Sequence, residues 1–264
     1  MLQKPSLLCA ILLSASSYSI AGDMGDKSSA PPLLHFNLGI EGGFSITGEA
    51  NFYPELAASG VANPIITLPV PSNSDWNRNF GYSGVVGAFV GYQYNSNLGF
   101  QLGYRYRSDY DWRVNAAIGT DRLSYAIDDI TVQSLLFDVR LTPSCNSPVI
   151  PYVQAGIGYA RNQLGQMNAT EFLFGETTDG FQQINGANTN NFAWDVGLGV
   201  NYAFASNLFF RLGYTFTDVG SVQTGNHQTV HISGFSNNLE STIFPFKAEH
   251  LFLHEVAVGL GWIF

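Results

Sequence analysis

The sequence predicts an all-β chain, an eight-stranded antiparallel transmembrane β-barrel with long extracellular loops. Three observations predict it. Large apolar residues alternate with small or polar ones in eight separate segments, the period at which a strand sends successive side chains to opposite faces. Charged residues make up only 12% of the chain, where a soluble domain carries about 25%; a lipid-facing surface requires that shortfall. The connections between the segments alternate between short and long, as they do in outer-membrane barrels with short periplasmic turns and longer outer loops.

The first residues read as an export signal. Lys4 supplies a positive start, SLLCAILLSA (6–15) is an apolar run, and Ser19-Ile20-Ala21 offers small residues at the cleavage positions. The run is shorter than the roughly 20 residues of a spanning helix. The expected organisation is a signal peptide at 1–21, a polar periplasmic leader at 22–32 and the barrel at 33–264. Removing the signal peptide makes the formal charge of −9 more negative by one, a balance that argues against nucleic acid as a partner. It also leaves Cys145 as the one remaining cysteine, so no internal disulfide is expected.

The eight segments run over 33–47, 80–94, 98–110, 129–142, 149–163, 191–205, 207–219 and 249–264. On the first, Phe36, Leu38 and Ile40 point out and Glu41 points in. On the third, Phe100, Leu102, Tyr104 and Tyr106 point out, with Arg105 and Arg107 inward. The fourth sends out Leu135, Phe137, Val139 and Leu141 and turns Asp138 and Arg140 in. The sixth sends out Trp194, Val196, Leu198, Val200 and Tyr202, with Asp195 inward. The seventh sends out Phe210, Leu212, Tyr214 and Phe216, with Arg211 inward. The eighth turns Glu255 in. Short connections fall at 95–97, 143–148 and 206–207, and long loops at 48–79, 111–128, 164–190 and 220–248. Tyr82, Trp112, Trp194 and Trp262 sit near strand ends and are expected in the aromatic girdles at the two membrane surfaces.

The hairpin GAFVGYQYNSNLGFQLGYRY (87–106) aligns without gaps to GLGVNYAFASNLFFRLGYTF (197–216), one supersecondary unit used twice. The spans DVGLGVNYAFASNLFFRLGYTFTDVG (195–220) and LHEVAVGLGWIF (253–264) resemble the closing strands of OmpA-like and opacity-type outer-membrane barrels of Gram-negative bacteria, which include small surface antigens. The resemblance covers the strands and fades in the loops. It implies residence in the outer membrane among lipids and lipopolysaccharide. It also implies a surface-antigen, adhesin-like or envelope-stabilising role borne by the loops, with host surface molecules as partners. Val256, Val258, Leu260, Trp262 and Phe264 resemble the assembly signal that the barrel insertion machinery reads.

The inward set is Glu41, Asp138, Asp195 and Glu255 against Arg105, Arg107, Arg140 and Arg211, four of each sign. Burying a lone charge costs several kcal/mol, and pairing offsets most of it. Eight strands enclose a lumen just wide enough for side chains to fill. The expectation is an ion-pair network that plugs the barrel, with Arg211–Glu255 as the first pair and Asp195 sharing Arg211.

Two other readings compete. A small porin would use the same charges to line a conduit. A lipid A-modifying enzyme would use His231-Ile232-Ser233, a His-x-Ser pair like that of PagL-type deacylase barrels, with Glu240 or Glu249 as the carboxylate. The pair falls in a loop rather than on a strand at the lipid boundary, so no catalytic residues are assigned. His227, His231, His250 and His254 are close in sequence, but their spacing matches no standard metal motif, and neither metal nor cofactor is expected. Glycine pairs such as Gly197/Gly199 and Gly259/Gly261 lack the following helix that nucleotide binding requires, and are read as relief of crowding inside a narrow barrel. Loop 164–190 carries Glu171, Glu176 and Asp179 with no Lys or Arg. Loop 48–79 holds the apolar stretch PIITLPVP (64–71).

Overall fold

A computed structural model of the chain describes residues 35–54, 78–118, 121–143, 147–173, 176–231 and 238–264. The expected signal peptide and leader, Cys145, the stretch 64–71 and the pair Ile232-Ser233 lie outside these residues.

Eight strands close into one antiparallel barrel. They are β1 (His35–Thr47), β2 (Tyr82–Gln93), β3 (Leu98–Ile118), β4 (Asp121–Leu141), β5 (Val149–Leu164), β6 (Ala187–Ala205), β7 (Leu208–Asp218) and β8 (Phe252–Ile263). Each pairs with its chain neighbours, and β8 closes on β1 with Trp262 opposite Leu38 and His254 opposite Ile46. Closure leaves no unpaired edge within the membrane, which lipid would not tolerate. The outer face is continuous and apolar: Phe36, Ile40, Phe44, Val86, Phe137, Ile157, Leu198, Leu212 and Val258 are all exposed. Tyr94, Tyr202, Trp262 and Phe264 ring the end with short turns. Tyr82, Tyr159 and Phe192 ring the other.

Two features differ from the sequence expectation. The first is that the long connections are not simple loops. β3 and β4 run on as one hairpin through the whole of 111–128 except residues 119 and 120. Beyond it, Met167–Leu173, Glu176–Ile184, His227–His231 and Leu239–Thr242 pair in turn. Six strand segments therefore form an open sheet that projects past the barrel rim. A smaller sheet joins Tyr53–Pro54, Phe246–Ala248 and Val222–Gln223.

The second difference is the fate of Trp112. It is not in a girdle but is fully buried, at 0% exposure. The cause is a pair of offset bulges. Between Arg107 and Tyr110 one extra residue enters β3, and between Tyr110 and Trp112 one extra residue enters β4. Each bulge carries an aspartate in the left-handed region, Asp109 at φ 70° and Asp129 at φ 61°; Asp tolerates this conformation better than most residues. A one-residue insertion exchanges the two faces of a strand. Arg105 and Arg107 face inward below the bulge, and Tyr110, Trp112 and Val114 are buried above it.

The flipped residues build a core of a different kind. Trp112, Tyr110, Tyr125, Ile127, Phe80 and Phe52 join Ile130, Val132 and Leu136 of the upper barrel in one apolar cluster. Phe52 sits among Trp112, Phe80 and Phe246, with ring centroids 5.2, 5.4 and 5.9 Å away. The barrel is apolar outside and polar within, whereas its extension is packed like a soluble β-protein.

Candidate functional site

Inside the barrel, all eight charges expected there are on the inner face, and each is buried or nearly so. They are arranged in layers. At the turn end, Phe89 and Phe209 lie with ring centroids 6.3 Å apart. Their rings lie over Gly39 and Gly261, where a Cβ would collide with them. Two cations stand on this floor. The Arg211 guanidinium lies 3.8 Å from the Phe89 centroid, and that of Arg140 lies 4.0 Å from the Tyr152 centroid. Arg211 donates to Gln101 Oε1 at 2.8 Å and Asn201 Oδ1 at 3.2 Å. Arg140 donates twice to Gln154 Oε1, at 2.9 and 3.2 Å. Among the described residues, neither has a carboxylate within 4.0 Å.

The middle layer holds the ion pairs. Arg105 Nε donates to Glu41 Oε1 at 2.6 Å, and its Nη1 lies 3.3 Å from Glu255 Oε2 and 3.8 Å from Asp195 Oδ2. Arg107 grips Glu255 with two nitrogens, Nε on Oε1 and Nη2 on Oε2, the latter at 2.9 Å. Its Nη1 donates to Ser134 Oγ at 2.9 Å. The two-pronged geometry is the one in which a guanidinium holds a carboxylate best. Above this layer the apolar cluster covers the mouth.

The expected pair Arg211–Glu255 does not form. Arg211 stands opposite Gly259 on β8, and the residue opposite Glu255 is Thr215. Four positions of offset are about 13 Å along a strand, beyond the reach of a side chain. Asp195 lies beside Arg105 rather than Arg211. The inward positions also carry polar and aromatic residues that a search for charges passes over. Gln101, Ser134 and Asn201 sit at the parity of the charges on their own strands, Gln154 and Tyr152 at the parity of Gly156 on β5, and they supply the contacts above. The alternation already marked them.

The histidines separate. His227 faces Glu240 at 3.8 Å, and His231 bonds Asn238 at 2.9 Å and stacks on Phe181, both in the projecting sheet. His250 bonds Asp218 and His254 bonds Tyr214 at the rim. Glu240, offered as a partner for His231, thus lies against His227 instead. Among the described residues, no three His, Cys, Asp or Glu side chains gather as a metal site.

Comparison with known proteins agrees with this architecture. Residues 7–264 match the model of the outer membrane protein beta-barrel domain. Outer membrane protein PagN of Salmonella typhimurium is 33% identical over 78 residues, which are 29% of this chain and 30% of that protein. Among solved structures, Neisserial surface protein A is similar at TM-score 0.46 and 15% identity, covering 87% of this chain and 97% of that one. Ail of Yersinia pestis, solved in complex with the heparin analogue sucrose octasulfate, is similar at TM-score 0.40 and 11% identity, over 88% and 97% of the respective chains. The chain belongs to the outer membrane protein beta-barrel domain family and is an integral barrel of the bacterial outer membrane.

Proposed function

We propose that this protein is a surface-exposed, adhesin-like or envelope-stabilising barrel, without catalytic activity or cofactor, whose working part is the sheet outside the membrane. The observation that carries the reading is the division of labour in the fold. The lumen is occupied by side chains from floor to mouth. The connecting segments, by contrast, form six paired strand segments over an apolar core. A disordered loop loses much conformational freedom on binding a partner, and a preordered sheet has already lost it. Long segments at one end of a rigid scaffold are where recognition is carried. In an outer-membrane barrel that end faces outward, so the partners are host surface molecules. Outer-membrane lipids and lipopolysaccharide surround the wall, and the insertion machinery reads Val256, Val258, Leu260, Trp262 and Phe264.

The test is attachment of cells displaying either the parent protein or a barrel in which residues 111–128, 164–190 and 220–248 are replaced by short Gly/Asn turns. The trimmed barrel should still shift in mobility on heating, because its membrane strands and short turns are unchanged. Attachment to host-cell monolayers should fall to the level of cells lacking the protein. Full attachment by a folded, trimmed barrel would move the function to the lumen or the lipid-facing wall.

A further inference from the structure

Two of the four luminal acids are treated unlike the others. Glu41 and Glu255 are held by guanidiniums at short range. Asp138 on β4 and Asp195 on β6 are not, although they are 2% and 1% exposed. Both stand opposite Gly156 of β5, one from each side. A Cβ at Gly156 would collide with Oδ1 of both. The missing side chain thus lets the two carboxyl groups approach each other over the glycine, with both Oδ1 atoms crowding the place where a Cβ would stand.

Their other contacts are sparse. Asp138 Oδ2 accepts from Gln101 Nε2 at 3.4 Å, and Asp195 Oδ2 accepts from Gln154 Nε2 at 3.4 Å. The nearest cation is Arg105 at 3.8 Å from Asp195, and it is already engaged by Glu41 and Glu255. Among the described residues, neither Oδ1 atom has a donor. Two adjacent ionised carboxylates with unpaired inner oxygens would repel strongly in so poorly solvated a place.

We propose that Asp138 and Asp195 form a buried proton-binding site over Gly156, in which one Oδ1–H donates to the other Oδ1 and the pair carries a single negative charge at neutral pH. One proton satisfies both orphaned oxygens and removes the repulsion, as in paired carboxyls that share a site. The other strands set the charge around the pair. β1 brings Glu41, β3 brings Arg105 and Arg107, β4 brings Arg140, β5 brings Tyr152, β7 brings Arg211 and β8 brings Glu255; β2 brings no charged side chain. Arg107 is taken by Glu255. Arg140 and Arg211 are turned onto the aromatic floor, so neither neutralises the pair.

Infrared spectroscopy of the full chain in detergent micelles, labelled with 13C-aspartate, reads this directly. At neutral pH the folded protein should show one isotope-shifted carboxylic acid band, absent from both Asp138→Asn and Asp195→Asn. Each variant keeps an amide donor for the facing carboxylate and should fold, as judged by heat-modifiable mobility. A second reading is thermal unfolding against pH. The native state keeps a proton that the unfolded chain releases in the acid range, so wild-type stability should fall as pH rises from about 4 towards neutral and level off once the pair itself ionises, and this dependence should flatten in both variants. The absence of a protonated aspartate band in the folded wild type overturns the proposal. So does a band that persists in both variants. Because the wild-type spectrum decides on its own, a variant that fails to assemble leaves the test intact.

Discussion

Arg107 and Arg211 are both buried arginines on the inner wall, yet they are held by different chemistry. Arg107 is locked to Glu255 by two nitrogens. Arg211 rests on the Phe89 ring and two amide oxygens. Removing one member of a buried pair strands the other, at a cost of about 3–5 kcal/mol, whereas removing both is far less harmful. Arg107→Leu is therefore expected to destabilise the barrel by that amount, and Arg107→Leu with Glu255→Leu by less than the single change, as read from urea unfolding in micelles. Arg211 and Glu255 do not touch, so Arg211→Leu and Glu255→Gln should act additively within about 0.5 kcal/mol. A coupling well above that in the same double-mutant cycle would mean that the two side chains meet after all. Which residues face the lumen was legible from parity alone. Which of them pair was not, because pairing depends on the stagger between neighbouring strands, and alternation along one strand carries no information about stagger.

The hairpin β3–β4 shows where parity itself fails. The alternation Phe100, Leu102, Tyr104, Tyr106 is clean up to Ser108, and then Ser-Asp-Tyr-Asp places charges among aromatics, as a loop would. The strand in fact continues, but with its faces exchanged by the bulges at Asp109 and Asp129. The boundary between the lipid-facing wall and the soluble-like extension was thus written as an apparent end of the strand. The membrane strands β1, β2, β5, β7 and β8 carry no such insertion, and for them the sequence boundaries agree within three residues. Trp112→Ala is expected to cost about 3–5 kcal/mol, the usual range for emptying a large aromatic site. That loss should fall on the extension. Limited proteolysis of intact cells should cut the variant outside the membrane while the barrel keeps its heat-modifiable mobility, and resistance equal to the parent's would show that the cluster does not hold the extension together. At the other end of the chain, Phe264 follows β8 directly and is exposed at the end with short turns. Deleting Phe264 should leave protease-sensitive protein in the periplasm, and normal yields of folded barrel would remove it from the assembly signal.

Taken as a whole, the molecule inverts its polarity at the rim. Below the rim an apolar skin surrounds a core of four arginines, four acids and their amide partners. Above it a polar skin surrounds Trp112, Phe52 and Phe80. Between the two, Leu136, Val132 and Ile130 carry the apolar cluster down into the barrel mouth, so the extension is seated on the lumen rather than tethered to it. The compartment and the barrel could be read from composition and alternation, because the bilayer imposes both on every membrane strand. The folded extension could not, because its hairpins join one another through pairings across long sequence separations, and those joins have no local periodic signature. The central claim is that the lumen is a packed core that positions the outer sheet, and not a conduit. Planar-bilayer recording of the purified, unmodified barrel tests this most directly. A silent membrane with at most rare, small openings is expected; steady, large conductance would contradict a packed lumen and return the charged interior to the porin reading.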